Sequence, residues 1–236
     1  MTLTGPTEKT EAWIRTTVER NPFRPHVDAT GKPTGNWVTA PARLSFPHLF
    51  KAQAAMEDGG KDKFSATFLF PEGVVFDPFR KVINQVGAEK WGDQFAAYAK
   101  TESFSRPLKD QGAKLQYEGY VEGHMFFTAS GERRPPVTNA RGAPLVDETK
   151  VYPGVWVIGI VRPFAFEARN KQGVVVKRGI SIGLQAVCVV ADDKEFGGSG
   201  VDPTTAFAGV QIEGDAYDPD SAFSGAGSAT SMADIL

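Results

Sequence analysis

A mainly β fold with helical insertions, a small barrel or sandwich, is what this 236-residue sequence predicts. Three observations carry that reading. Several short segments alternate apolar and polar residues between Gly- and Pro-rich turns, the pattern of half-buried strands. One segment only, Asp77 to Trp91, shows sustained helical spacing. The last 45 residues, 192–236, hold seven Gly, five Ser, seven Ala and seven Asp, with few large apolar groups. A segment so composed cannot bury enough surface to offset its ordering entropy, so a disordered acidic C-terminal tail is expected from about Asp192. Phe207 to Ile212 could pack locally.

Residues 1–36 are polar and broken by Pro6, Pro22, Pro25 and Pro33, which reads as an N-terminal arm. A short helix is expected from Thr10 to Arg20, with Trp13, Ile14 and Val18 roughly on one side. The arm is expected to pack on its own body, with bridging to a neighbouring subunit as the alternative. The body, residues 37–191, starts near Trp37. Val38 to Phe46 alternates well enough for a strand. Lys63 to Phe70 alternates more clearly, with Phe64, Ala66, Phe68 and Phe70 on one side of the pleat. Asp58-Gly59-Gly60 supplies the turn between them. In the Asp77–Trp91 helix, Asp77 can cap, Pro78 suits the first turn, and Phe79, Val82, Ile83 and Val86 form the apolar stripe. Gly123 to Ala129 reads as a strand. Val155 to Val161 reads as a buried strand running on to Phe164 and Phe166. Asn170 to Gly173 reads as a hairpin tip, and Gly179 to Val190 as the final strand. There are no internal repeats.

Net charge hides a division. The whole chain is −2, but residues 1–191 hold 25 of the 26 Lys+Arg and 19 of the 28 Asp+Glu, or +6, leaving −8 for residues 192–236. A basic body suits a polyanion, and an acidic tail can imitate one. The single cysteine, Cys188, lies in an apolar strand and reads as a small core residue; no internal disulfide is possible. No run of 18 apolar residues spans a membrane. Met1 to Lys9 lacks the basic and apolar regions of a signal peptide, so an intracellular protein is expected.

Catalytic chemistry finds little support. His26, His48 and His124 are far apart in sequence, and no metal-ligand spacing, nucleophile elbow, phosphate loop or dinucleotide fingerprint is present. Gly197-Gly198-Ser199-Gly200 is a linker among acids, not a phosphate cradle. Asp147-Glu148 reads as a solvated loop pair. No cofactor and no metal are expected.

What recurs is cations interleaved with aromatics: Arg43 with Phe46, Lys63 with Phe64, Phe126 and Phe127 leading to Arg133 and Arg134, and Tyr152 and Trp156 leading to Arg162, Phe164 and Phe166, then Arg169, Lys171, Lys177 and Arg178. Single-stranded nucleic acid is held by these parts, cations along the phosphates and flat rings on the bases. Most strand aromatics pack inward, so the reading depends on the cations converging in one groove.

Five segments in order, "TAPARLSFPHLFKAQ", "KFSATFLFP", "AEKWG", "GHMFFTASGERRPPVTNARGAPL" and "VYPGVWVIGIVRPFAF", resemble the single-stranded DNA-binding proteins of tailed phages. The resemblance covers roughly residues 37–190. It implies an OB-fold five-stranded β-barrel, a role in coating and protecting exposed strands during phage replication or recombination, and the cytoplasm of the infected bacterial host as the location. The candidate DNA contacts are Arg43, Lys63, Phe64, Phe127, Arg133, Arg134, Tyr152, Trp156, Arg162, Phe164, Phe166, Lys177 and Arg178. The ending Asp234-Ile235-Leu236 resembles the acidic, apolar-tipped tails of bacterial and phage single-strand binders. It implies recruitment of phage or host replication and recombination proteins, with self-association on DNA as a further expectation. Two other classes stay open at this point: a β-sandwich subunit of a virion or tail, and a nuclease, which lacks an evident carboxylate cluster for metals.

Overall fold

The structure is a computed structural model and describes residues 4–54 and 60–197. Its first helix, α1 (Glu11–Arg20), is capped by Thr10, whose hydroxyl accepts from the Trp13 N–H. A hairpin follows, β1 (Arg24–Val27) and β2 (Pro33–Val38), turned by Asp28, whose carboxylate accepts from the N–H groups of Thr30 and Lys32. Next come β3 (Ala42–Gln53), β4 (Lys63–Leu69), α2 (Asp77–Trp91) and a single helical turn, α3 (Phe95–Tyr98). Two very short strands, β5 (Phe104–Ser105) and β6 (Lys109–Asp110), precede β7 (Met125–Gly131) and β8 (Val137–Asn139). The two longest strands close the order: β9 (Trp156–Arg169) and β10 (Val175–Ala191).

Five strands pair in a ring. β3 pairs antiparallel with β4, β4 with β7, β10 with β9, and β9 with β3. The one parallel junction is β7 with β10, where Ile182 faces Ala129 and Gly183 faces Ser130. Alternation then divides each strand between two faces. Leu44, Ala66, Phe68, Phe127, Ala129, Val157, Val161, Ile180 and Ile182 point inward and form the main core. α2 adds Phe79 and Ile83, and Phe79 contacts Phe127 at 5.7 Å and Phe23 at 4.7 Å between ring centroids.

Several expectations shift. Val38 to Phe46 is not one strand: the chain breaks between β2 and β3, where the Thr39 hydroxyl accepts from the Gly159 N–H. Asp77 does not cap α2; Phe76 occupies the cap and Asp77 lies in the first turn, where its charge suits the helix dipole. The residues of the expected arm pack on their own body, the favoured expectation, but they also add a strand pair that was not expected. Phe23 joins the core, β2 pairs with β9, and Ile14 and Val18 pack against Trp156. The Asn170–Gly173 tip forms as read, with the Asn170 side chain accepting from the N–H groups of Gln172 and Val174. Cys188 is half-buried. Asp147 accepts from the Thr149 hydroxyl and N–H at the start of a short 3-10 turn, and those bonds, the hydroxyl's first, hold its carboxyl below the usual range. Asp58 and Gly59 of the expected turn lie outside the described residues. No helix among the described residues is long and apolar enough to cross a membrane.

Candidate nucleic-acid interface

The outward face of the ring has two unlike ends. At one end, β4, β7, β9 and β10 converge on an open groove of about 400 Å³. Its lining includes Lys63 from β4, Ser130 from β7, Arg162 and Phe164 from β9, and Gly183 and Gln185 from β10. Arg162 is exposed, and Phe164 keeps 42% of its surface in solvent. The register explains the convergence. Gly183 faces both Ser130 across the parallel junction and Arg162 across the antiparallel one. Glycine at this position keeps the floor open: the nearest atoms to a Cβ there would be Arg162 O, the Gln185 amide and the Phe164 ring, at 3.4 to 3.8 Å, ordinary contact distances. Phe166 and Lys177 extend the same face toward the β9–β10 tip. Glu132 also lines the groove and ion-pairs with Lys61 at 2.8 Å on an exposed rim. Cation, flat ring and a floor of small residues are the requirements for stacking a base and neutralising its phosphate.

At the other end the same face is covered. Arg43 is fully buried, with its guanidinium 3.2 Å from the Asp193 carboxylate. It also donates to the carbonyls of Gly154, Pro6 (2.9 Å) and Lys194 (2.6 Å), and it lies 4.4 Å from the centroid of the Phe196 ring. Asp193 in turn accepts from the Thr7 hydroxyl, the Glu8 N–H and the Trp156 indole. Burial alone would push the Asp193 carboxyl up; these donors outweigh it and hold the group below the usual carboxylate range. Burial pulls Arg43 down to about 10, against the opposing pull of Asp193, so it stays charged at neutral pH. Gly154, at φ 107, is required here, because a Cβ would meet Lys194 O at 2.4 Å.

The predicted contacts therefore sort by place. Lys63, Arg162 and Phe164 meet in the groove, with Phe166 half-buried and Lys177 exposed beyond them. Phe64 shares the inward face but is only half-buried at the strand end. Arg133 and Arg134 are exposed in the β7–β8 turn, and the Arg134 guanidinium lies 5.1 Å from the Phe50 ring. Three expectations are corrected by burial: Arg43 is locked in the Asp193 network, Phe127 is inside the core and Trp156 is sealed under α1. Tyr152 donates to the Asp193 carbonyl at the covered end, so its hydroxyl serves that network. Arg178 stacks 4.0 Å from the Tyr98 centroid and reaches Glu167 at 3.8 Å, away from the groove. Asp192 to Gly197, read as the start of the tail, belong to the body through Asp193 and Phe196. Asp234, Ile235 and Leu236 lie outside the described residues. Sequence reading missed Ser130, Gly183 and Gln185; a glycine inside a strand pattern was the available signal of a close approach.

No curated protein matches this chain. Among solved structures, the single-stranded DNA-binding protein from bacteriophage Enc34 in complex with ssDNA is similar at 27% identity and a TM-score of 0.54, over 70% of this chain and 90% of that one. A second structure of the single-stranded DNA-binding protein from bacteriophage Enc34 is similar at 26% identity and a TM-score of 0.53, over 78% of this chain and 98% of that one. The fold is shared with gp2.5, a single-stranded DNA-binding protein encoded by bacteriophage T7, at 13% identity and a TM-score of 0.50, over 78% and 98%. The family described as "Enterobacter phage Enc34, ssDNA-binding protein" matches residues 36–217. By that match over most of its length, the chain belongs to the family of phage single-stranded DNA-binding proteins typified by the Enc34 protein.

Proposed function

We propose that the protein binds single-stranded DNA without reading its sequence, in the groove between β4, β7, β9 and β10. The observation that carries this is the meeting of Lys63, Arg162 and Phe164 from three strands over a floor of Ser130 and Gly183. Release of counterions from neutralised phosphates supplies sequence-independent affinity, and stacking on Phe164 and Phe166 adds about 1–3 kcal/mol per base. The related Enc34 protein has been solved with ssDNA, which supports the same ligand here. The pairing order of the ring, with its single parallel junction, supports reading it as the OB-fold five-stranded barrel, whose face and loops take single strands. In that frame Arg133, Arg134 and Lys177 flank the groove from two turns.

The wider role is coating and protecting exposed strands in phage replication or recombination, in the cytoplasm of the infected host, with self-association along the strand. The protein is read as a binding protein and not an enzyme. Residues beyond Gly197 keep a net negative charge in the sequence. They are read as a tail that competes with DNA for the basic face and offers Asp234, Ile235 and Leu236 to replication or recombination proteins.

Fluorescence polarisation with labelled single- and double-stranded oligonucleotides, titrated with salt, tests the binding. Affinity for the single strand is expected to fall steeply between about 50 and 200 mM salt and to vary little with base composition. Binding indifferent to salt would count against it. Deleting residues 198–236 is expected to tighten binding and to remove partner recruitment; unchanged affinity would rule out competition by the tail.

A further inference from the structure

A second aromatic and basic cluster stands on the same outward face, beside β3. Gln111 builds it. Its buried side chain donates to the Phe70 and Met125 carbonyls at 3.1 and 2.9 Å and accepts from the Val121 N–H at 2.9 Å. That amide anchors the segment Gln111–Lys114, a 3-10 turn whose start is capped by Asp110. Lys114 then stands with its ammonium 5.4 Å from the centroid of Phe126, 5.5 Å from Phe46 and 5.9 Å from both Tyr117 and Tyr120. Burial among these rings, together with the charge of Lys109, lowers its affinity for a proton. No carboxylate pairs with it among the described residues.

Two rings of the cage face solvent. Phe46 is 40% and Tyr117 43% exposed, and they meet edge-to-face at 5.1 Å. Phe46 sits at φ 46, the one non-glycine residue with positive φ among those described. A bulky side chain in that conformation costs energy, and such strain marks a position held by its surroundings. Here the strained backbone, at a register break of β3 between Ser45 and His48, presents a phenylalanine to water.

We infer that Phe46, Tyr117 and Lys114 form a second nucleotide seat, with a base stacked on the exposed rings and a phosphate on the ammonium. The seat extends the single-stranded DNA path of the proposed function, on which it rests. His48 faces Ser65, Ser65 faces Ser130, and Ser130 lines the groove. On β7 itself, Phe126, over which the Lys114 ammonium stands, lies four residues before Ser130, so the seat and the groove are about 13 Å apart along the strand. The floor between is hydroxylated, with Thr67 and Thr128 sharing a 2.8 Å hydrogen bond. A second copy of the chain fits less well. A stable protein interface buries about 1,200–2,000 Å² and excludes bare charges from its centre, whereas this patch is a few side chains around an unpaired ammonium.

The test uses the full chain with oligothymidylates of about 4 and about 12 nucleotides, spanning the range of site sizes of such folds. Phe46→Gly and Phe46→Asn both remove the ring and suit the positive φ, so the fold is retained; Tyr117→Ala removes the second ring. Each variant is expected to weaken the longer oligonucleotide about tenfold and to leave the shorter one unchanged. Iodouracil placed along the longer strand is expected to cross-link to Phe46 or Tyr117. If Arg162→Ala weakens binding while Phe46→Gly and Tyr117→Ala do not, the seat is overturned and the groove stands. If the wild type binds neither oligonucleotide, the DNA reading itself falls and the seat with it. Loss of self-association by sedimentation, with oligonucleotide affinity intact, also overturns the seat and assigns the patch to a second copy.

Discussion

Arg43 and Arg162 lie on the outward face of the same ring, on strands that pair with each other, yet they do opposite work. Arg43 pairs across the sheet with Trp156, and Arg162 follows six residues further along β9, about 20 Å away. At the Arg43 end, residues from both ends of the described chain, Pro6 to Val18 and Asp193 to Phe196, cover the sheet. At the Arg162 end, Gly183 and Ser130 leave the sheet bare. A buried cation needs its partners fixed around it, and here they are one carboxylate and three carbonyls. An exposed cation keeps its hydration and can exchange it for phosphate. The same residue type on the same face is thus a staple where the chain folds over it and a ligand contact where it does not.

The largest expected effect separates the two ends. Arg43→Ala or Asp193→Ala leaves its partner's charge buried alone and is expected to cost about 3–5 kcal/mol of stability, read by denaturant unfolding. Arg162→Ala is expected to leave the unfolding midpoint in place. Equal midpoints for the Arg43 and Arg162 variants would erase the distinction. The second effect is on binding: Phe164→Ala, on the open end, is expected to weaken single-stranded DNA by about 1–3 kcal/mol at fixed salt. Tyr152→Phe, at the covered end, is expected to leave affinity unchanged. Third, Gly183→Val puts a side chain on the groove floor where the neighbours leave room for its Cβ. It is expected to reduce affinity while stability holds, since β-branched residues suit strands; undiminished binding would move the DNA off this floor.

The pH dependence is smaller and belongs to the covered end. The Asp193 carboxyl is held below its ordinary value, so its contribution is present above an unfolded pKa of about 3.9 and is lost as pH falls through the lower folded value. Asp193→Asn is expected to flatten that acid limb of the stability curve. The smallest effect is at the rim of the groove. Glu132→Gln frees Lys61 from its ion pair and removes a negative charge beside the DNA, so binding is expected to tighten slightly and its salt dependence to steepen.

Much of the fold was legible because its signals are local. The alternation of Phe64, Ala66 and Phe68, the α2 stripe of Phe79 and Ile83, and the Asn170–Gly173 tip each arise from the periodicity of one segment. The hairpin β1–β2 was missed because its prolines and polar residues read as an arm; it is a strand pair only because β9 offers Val161 and Ile160 to Trp37 and Val38. The site was half legible. Lys63, Arg162 and Phe164 stood out as cations and rings on strands, while Phe46 and Lys114, sixty-eight positions apart, are joined only by the anchoring of Gln111.

By itself, then, the sequence determined the fold class, the strand and helix cores, the basic body with its acidic extension, and a family resemblance that the match over residues 36–217 bears out. Which arginines and aromatics stay available to a ligand was decided by tertiary structure alone. Periodicity assigns a side chain to a face of its own strand, but whether that face is covered depends on segments far away in the chain. Asp193 reaching back to Arg43, across 150 positions, is a contact that no local pattern encodes.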